Sequence, residues 1–209
     1  VDRGPVRTLA EAGSGMSVAI QDPDGEYAAT IVSGANLRLD PAALADPALW
    51  QGVAVLVLQN EIPDKVNLAA ASEARRRGVT VVLNAAPARV LSADLRHQVD
   101  VLVVNAVEAE MMGAGPVTDL ATALDAAQGL VAAFDTVVVT AGSRGLAVRT
   151  AEGARIAIPA VPVKAVSSHG AGDCFTGTLA AFLARKESVE TACRAASVAA
   201  ARHVAAQRT

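Results

Sequence analysis

The sequence predicts an α/β fold: a three-layer α/β/α sandwich around a mainly parallel sheet, with a small β hairpin or lid element beside it. Three observations carry that expectation. From Val53 onward, apolar runs of strand length alternate with stretches of helical periodicity. Polar residues gather just behind those runs, where open α/β sheets bind ligands. The chain has 209 residues, 52% of them hydrophobic, which suffices to bury one good core.

Taken in order, residues 1–15 carry Gly4, Pro5, Gly13 and Gly15 and read as irregular. Residues 16–33 read as the hairpin: Met16 to Gln21 alternates like a half-buried strand, Asp22-Pro23-Asp24-Gly25 has turn chemistry, and Tyr27 to Val32 returns. Ser33-Gly34-Ala35-Asn36 then breaks the strand. The alternating run follows: strand 53–58, helix 64–77, strand 79–83, a short helix near 92–98, strand 101–104, helices 107–112 and 118–133, and strand 136–140. Leu146 to Val148 and Ala154 to Ile158 flank Ala151-Glu152-Gly153 as a second hairpin. Helices over 171–185 and 189–206 close the chain. With no repeat and no low-complexity linker, residues 1–209 read as a single domain.

Composition narrows the function classes. The net charge is −3 with the signs interspersed, so there is neither a basic stripe for nucleic acid nor a polybasic membrane anchor. Arg75-Arg76-Arg77 sits at a predicted helix C-terminus before Gly78, where cations are favoured, and reads as a solvated face. No apolar run reaches the ~18 residues of a membrane span, and no signal-peptide layout opens the chain. Cys174 and Cys193 both fall in predicted helices and read as buried thiols in a reducing compartment, which suggests a cytoplasmic protein. His97, His169 and His203 lack a second ligand at zinc spacing.

The chemistry concentrates in residues 165–177, Ala-Val-Ser-Ser-His-Gly-Ala-Gly-Asp-Cys-Phe-Thr-Gly. Small residues run straight into an apolar helix beginning near Ala171, so backbone N–H groups without an intrahelical partner make an anion site. Gly170 and Gly172 let a charged ligand approach the backbone. A carboxylate at Asp173 would repel a phosphate unless it had another task, and the economical one is accepting a proton from an attacking hydroxyl during phosphoryl transfer. The competing reading is an ordinary Gly-rich turn with an acid that the helix dipole favours. Asn105-x-x-Glu108 has the form of a capping box. Thr140 and Gly142 read as a strand-end turn, and Asn84 before Ala-Ala-Pro as another. Glu61 is a carboxylate at the end of a buried strand and needs a partner or water. No Gly-x-x-x-x-Gly-Lys-Ser/Thr run exists, and Gly170-x-Gly172 is followed at the third position by Phe175, so neither a Walker-type site nor a dinucleotide fingerprint is present.

Val166 to Gly177 resembles the C-terminal signature of the ribokinase-like (PfkB) carbohydrate kinases, Asp-Thr-x-Gly-Ala-Gly-Asp-x-Phe-x-Gly. Gly170, Ala171, Gly172, Asp173, Phe175 and Gly177 match, whereas Ser167 and Ser168 stand where the family has Asp and Thr. Four further family landmarks follow in order: Leu58 to Pro63, Leu83 to Ala88, Asn105 to Glu110, and Val138 to Gly145. The resemblance implies an ATP-dependent sugar kinase that phosphorylates a hydroxymethyl group, ribose to ribose 5-phosphate first among the candidates. Fructose, 2-keto-3-deoxygluconate and nucleoside kinases of the same family are the alternatives. It further implies Asp173 as base with Gly170, Ala171 and Gly172 as the anion pocket. Asn105, Thr140, Gly142 and Gly145 would lie along the nucleotide, Gly142 giving backbone clearance. Glu61 and Asn84 would touch sugar, and Glu108 would hold Mg2+ largely through water. A homodimer is compatible with the resemblance. Ser167 in place of Asp puts a monovalent cation in doubt, and His169 has no assigned role. Family members carry a further N-terminal third and a C-terminal Gly-rich segment, so the chain reads as incomplete at the N-terminus. A non-catalytic nucleotide-binding remnant is the reading if 209 residues are the whole product.

Overall fold

The computed structural model describes residues 3–21 and 27–206. A two-stranded antiparallel ribbon, β1 (Met16–Gln21) and β2 (Tyr27–Val32), pairs Met16 with Val32 and Gln21 with Tyr27, as the alternation predicts. The expected turn residues Asp22 to Gly25 lie outside the described residues.

The remaining strands form one six-stranded sheet in the order β3-β4-β5-β6-β7-β8: Val55–Gln59, Thr80–Asn84, Val101–Asn105, Thr136–Thr140, Gly145–Thr150 and Arg155–Pro159. β3 to β6 are parallel, and β7 and β8 join antiparallel through short connections. Between the strands run α1 (Asp64–Arg76), α2 (Ala93–Arg96), α3 (Ala106–Met111) and α4 (Leu120–Leu130), with α5 (Ala171–Leu183) and α6 (Val189–Ala205) at the end.

The two sheet faces read directly from strand periodicity, since successive side chains point to opposite sides. Val81, Leu83, Leu102, Val104, Val137 and Val139 face one core with Ala71 and Ala74 of α1, Leu95 of α2, Ala109 of α3 and Ala127 of α4. Val82, Val101, Val103, Val138 and Val148 face the other, against Phe175 and Leu179 of α5 and Ala192, Cys193 and Ala196 of α6. Helices thus cover both faces, which is the three-layer arrangement. Ala192 and Ala196 are fully buried, so α6 meets its neighbours through small side chains. Burial, with Glu190 nearby, pushes the Cys193 thiol up to about 12 and keeps it uncharged.

Two local differences from the sequence expectation have simple causes. Residues 34–50 fold into three 3-10 turns (Gly34–Arg38, Pro41–Ala45 and Pro47–Trp50) that hydrophobic periodicity does not reveal. Asp40 and Asp46 cap the second and third, each accepting a backbone N–H at 2.9 Å, with a proline pre-set at the first position. The helix expected over 118–133 changes to 3-10 geometry at Val131–Ala133. At the end of α1, Gly78 takes φ 69° and its N–H reaches Arg75 O. The arginine run there is held in ion pairs, Arg75 with Asp100 at 2.6 Å and Arg77 with Glu73 at 3.3 Å, and Arg76 also pairs with Glu73. Among the described residues no helix is long and apolar enough to cross a membrane.

Candidate active site

Four parallel strands end on polar residues: Gln59, Asn84, Asn105 and Thr140 are the last residues of β3, β4, β5 and β6. Register sets them in two level pairs, Gln59 with Asn84 and Asn105 with Thr140, the second pair two residues further along because Asn84 is opposite Val103. The start of α5 closes over this rim. A cavity of about 230 Å³ is lined by Asn84, Asn105, Glu108 and Thr140 from the strand ends and by Gly170, Gly172 and Asp173 from the helix start. Phe175, Thr176, Val103, Ala86 and His169 complete it. A larger cavity of about 430 Å³ adjoins, sharing Thr140, Gly172 and Phe175 and extending along Leu146, Val161, Val163, Ala200, Ala201 and Val204. One chamber is therefore rimmed with hydrogen-bonding groups and two carboxylates, and the other is an apolar slot.

The helix start is built by its loop. Gly170 is the N-cap with φ 75°, a conformation that favours glycine. Val166 N–H and Ser167 N–H both donate to Val204 O of α6, at 2.7 and 3.3 Å, and His203 Nε2 lies 2.9 Å from His169 O. These contacts strap the loop to the last turns of α6. The first intrahelical bond runs from Cys174 N–H to Gly170 O at 3.0 Å, so the N–H groups of Gly172 and Asp173 have no i−4 partner. Ala171, expected in the anion pocket, differs: its N–H donates to Ser168 O at 3.2 Å, because the loop turns tightly before the helix, which leaves the N–H groups of Gly172 and Asp173 for a ligand. Asp173 is exposed at the cavity rim.

Gly172 and Gly145 differ in what their backbone positions require. A Cβ built at Gly172 meets no protein atom within 4 Å, and its φ is ordinary, so nothing in the fold requires glycine. Gly172 lines both cavities. Gly145, which lines the larger cavity, is the reverse: φ is 115° and a Cβ would lie 2.1 Å from Ile158 O. Gly142 lines that cavity too, but its φ of 57° is what calls for glycine, since a Cβ would meet nothing within 4 Å of the protein.

Asn105 and Glu108 form the capping box of α3 reciprocally. Asn105 Oδ1 accepts Glu108 N–H at 2.8 Å, and Glu108 Oε2 accepts Asn105 N–H at 2.9 Å. Burial pushes the Glu108 carboxyl above its usual range, against the lowering effect of the Asn105 N–H bond. The cap thus holds the side chain at the cavity with one oxygen. The oxygen-donor set of Glu108, Asp173, Asn105 and Thr140 fits a hard cation such as Mg2+, which keeps several of its own waters.

Of the residues expected at the site, Asn84, Asn105, Glu108, Gly170, Gly172 and Asp173 meet at the smaller cavity. Gly142, Gly145 and Ala171 line the larger one, and Thr140 and Gly172 line both. Glu61 lines neither. It sits in an exposed turn after β3, the edge strand, and the cavity is centred two strands inward, roughly 10 Å away at the usual strand spacing. Thr176 does not stand out by its sequence position, because its burial against the cavity depends on how α5 docks.

The pfkB family carbohydrate kinase model matches residues 1–209. The chain is 31% identical to a ribokinase of Haemophilus influenzae over 204 residues, covering 96% of this chain and 66% of that protein. It is 36% identical to a ribokinase of Mus musculus over 181 residues, covering 83% and 55% respectively. The fold superposes on a structure of Arabidopsis thaliana ribokinase complexed with ribose and ATP, with a TM-score of 0.83 and 26% identity over 95% of this chain and 65% of that one. Thermotoga maritima ribokinase gives 0.78 and 27%, over 94% and 65%. The chain thus spans 55% to 66% of the length of these two curated relatives. The loop-to-helix signature, the polar strand ends and the match over residues 1–209 agree, and the chain belongs to the pfkB family of carbohydrate kinases.

Proposed function

We propose that the protein transfers the terminal phosphoryl group of ATP to a sugar hydroxymethyl group, with ribose as the first-choice acceptor. The observation that carries this reading is the meeting of Asp173 with Asn105, Glu108 and Thr140 in one 230 Å³ cavity at the start of α5. A carboxylate beside unpaired backbone N–H groups suits a reaction in which a proton leaves as negative charge moves. The ribokinase relatives favour ribose, and the complex of the Arabidopsis thaliana relative with ribose and ATP supports the same pair of small molecules.

In this reading the apolar slot along Val161, Ala200 and Val204 takes the nucleotide base, and its phosphates run toward Gly172. The N–H groups of Gly172 and Asp173 steady the charge on the moving phosphoryl group. Asp173 accepts the proton of the attacking hydroxyl late, as the new P–O bond forms, because a carboxylate is a weak base. Asn105 and Glu108, fixed by their mutual cap, orient the phosphate end, and Mg2+ held largely through water by Glu108 would supply charge neutralisation. Thr140 adds a hydroxyl at the junction of the two chambers.

The test is ATP consumption over a panel of ribose, fructose, 2-keto-3-deoxygluconate and nucleosides. Turnover with ribose at the highest kcat/KM is the expected result. A different best acceptor moves the specificity within the family, and nucleotide binding without turnover on any acceptor overturns the kinase reading.

A further inference from the structure

The starts of α3, α4 and α6 are each fixed by the side chain of their own N-cap, Asn105, Asp119 and Ser188. The start of α5, which faces the candidate site, is capped by Gly170, which has no side chain to offer. Glycine is also the residue whose backbone is least restricted, so at φ 75° Gly170 does little to fix its own direction. The loop before it is instead held by two neighbouring residues of α6. Val204 O accepts Val166 N–H and Ser167 N–H near the loop's entry, at 2.7 and 3.3 Å. His203 Nε2 lies 2.9 Å from His169 O at the exit, one residue before the cap. A carbonyl can only accept, so His203 donates Nε2–H there, and it can do so with the ring neutral or charged. His169 O and the Gly170 nitrogen belong to one planar peptide group, so holding that oxygen fixes the plane from which the chain enters α5.

We propose that His203 is a positioning residue for phosphoryl transfer: by holding His169 O it sets the aim of the Gly172 and Asp173 N–H groups at the moving phosphoryl group. This inference rests on the kinase reading given above. His203 lines neither cavity, whereas Ala200, Ala201 and Val204 of the same helix line the apolar slot. Its contribution therefore falls on the chemical step and leaves the binding of either small molecule alone. Small errors of aim at a reacting group are costly, which is why one hydrogen bond outside the site reaches the rate.

The experiment compares His203→Ala, His203→Asn and His203→Gln. The glutamine amide nitrogen stands as many bonds from the backbone as Nε2, whereas the asparagine amide nitrogen stands where Nδ1 does and falls short of His169 O. At saturating ATP and acceptor, kcat is expected to fall about tenfold in His203→Ala and His203→Asn and to return to within about twofold of the parent's in His203→Gln. Acceptor KM and ADP affinity stay within about twofold in all three. Should the alanine variant fold poorly, asparagine against glutamine reads the same split. A contact that only steadies the end of α6 predicts lower melting temperatures with parental kcat in every variant, and that result overturns this inference alone. An equal loss of kcat in His203→Gln and His203→Asn overturns it too. Absence of turnover by the parent on every acceptor overturns the kinase reading and this inference with it.

Discussion

Gly145, at the start of β7, and Gly172, at the start of α5, line the same 430 Å³ cavity. At Gly145 the protein itself fills the place of a side chain: Ile158 O, Ala160 N and Pro159 C all lie within 2.9 Å of where a Cβ would stand, and φ is 115°. At Gly172 the same position meets no protein atom within 4 Å and the backbone is ordinary helix. One glycine is required by the antiparallel closure of the sheet, and the other is not required by the fold, which in the kinase reading leaves it to the ligand. The difference separates residues that build the pocket from residues that leave room in it.

Alanine substitution at both positions puts that distinction under the greatest stress. Gly145→Ala forces a strained φ and a backbone clash, and a loss on the order of 3 kcal/mol is expected. Thermal melting should fall by about 6–12 °C for a chain of this size. Gly172→Ala should do the opposite to the fold, raising stability by up to about 1 kcal/mol because alanine is the better helix former. Its phosphoryl transfer should nonetheless drop roughly 10²-fold as the methyl group displaces the reacting phosphate. Equal melting losses in the two variants, or an active Gly172→Ala enzyme, would erase the distinction.

The smallest expected effect concerns Glu108, which both caps α3 and faces the site. Burial raises its carboxyl above 4.5, so the folded state binds that proton more readily than the unfolded chain. Folding is therefore penalised when the group is ionised, and the penalty fades as pH falls through the raised value toward 4.5. Glu108→Gln keeps a capping oxygen and removes the charge. Its melting temperature should exceed the parent's at neutral pH, with the gap closing below about 4.5, the usual carboxylate value. A pH-independent gap would assign the difference to packing instead. The same variant should need more Mg2+ for half-maximal turnover.

Much of the architecture is legible in the sequence because strand and helix periods differ. Val101 to Val104 alternates between the two cores as a doubly covered strand should, and α5 begins at Ala171 where the small-residue loop ends. The 3-10 turns after Gly34 escape because their signals are local, the Asp40-Pro41 and Asp46-Pro47 pairs, rather than periodic. Glu61, whose contact with sugar the family resemblance implies, lines neither cavity, because strand order decides which strand ends meet there and β3 lies at the edge. The N–H of Ala171 and the hydroxyl of Thr176 are likewise settled by the fold. The first is taken by Ser168 O and the second is left unpaired among the described residues, and neither fact follows from residue type.

The kinase reading stands or falls on whether the Asp173 carboxylate receives the acceptor's proton in the pocket formed at the start of α5. Single-turnover measurement of Asp173→Asn with saturating ATP and acceptor decides it. The expected rate is lower by roughly 10²-fold or more, with nucleotide affinity nearly unchanged. A rate within a few-fold of the parent's would contradict that role.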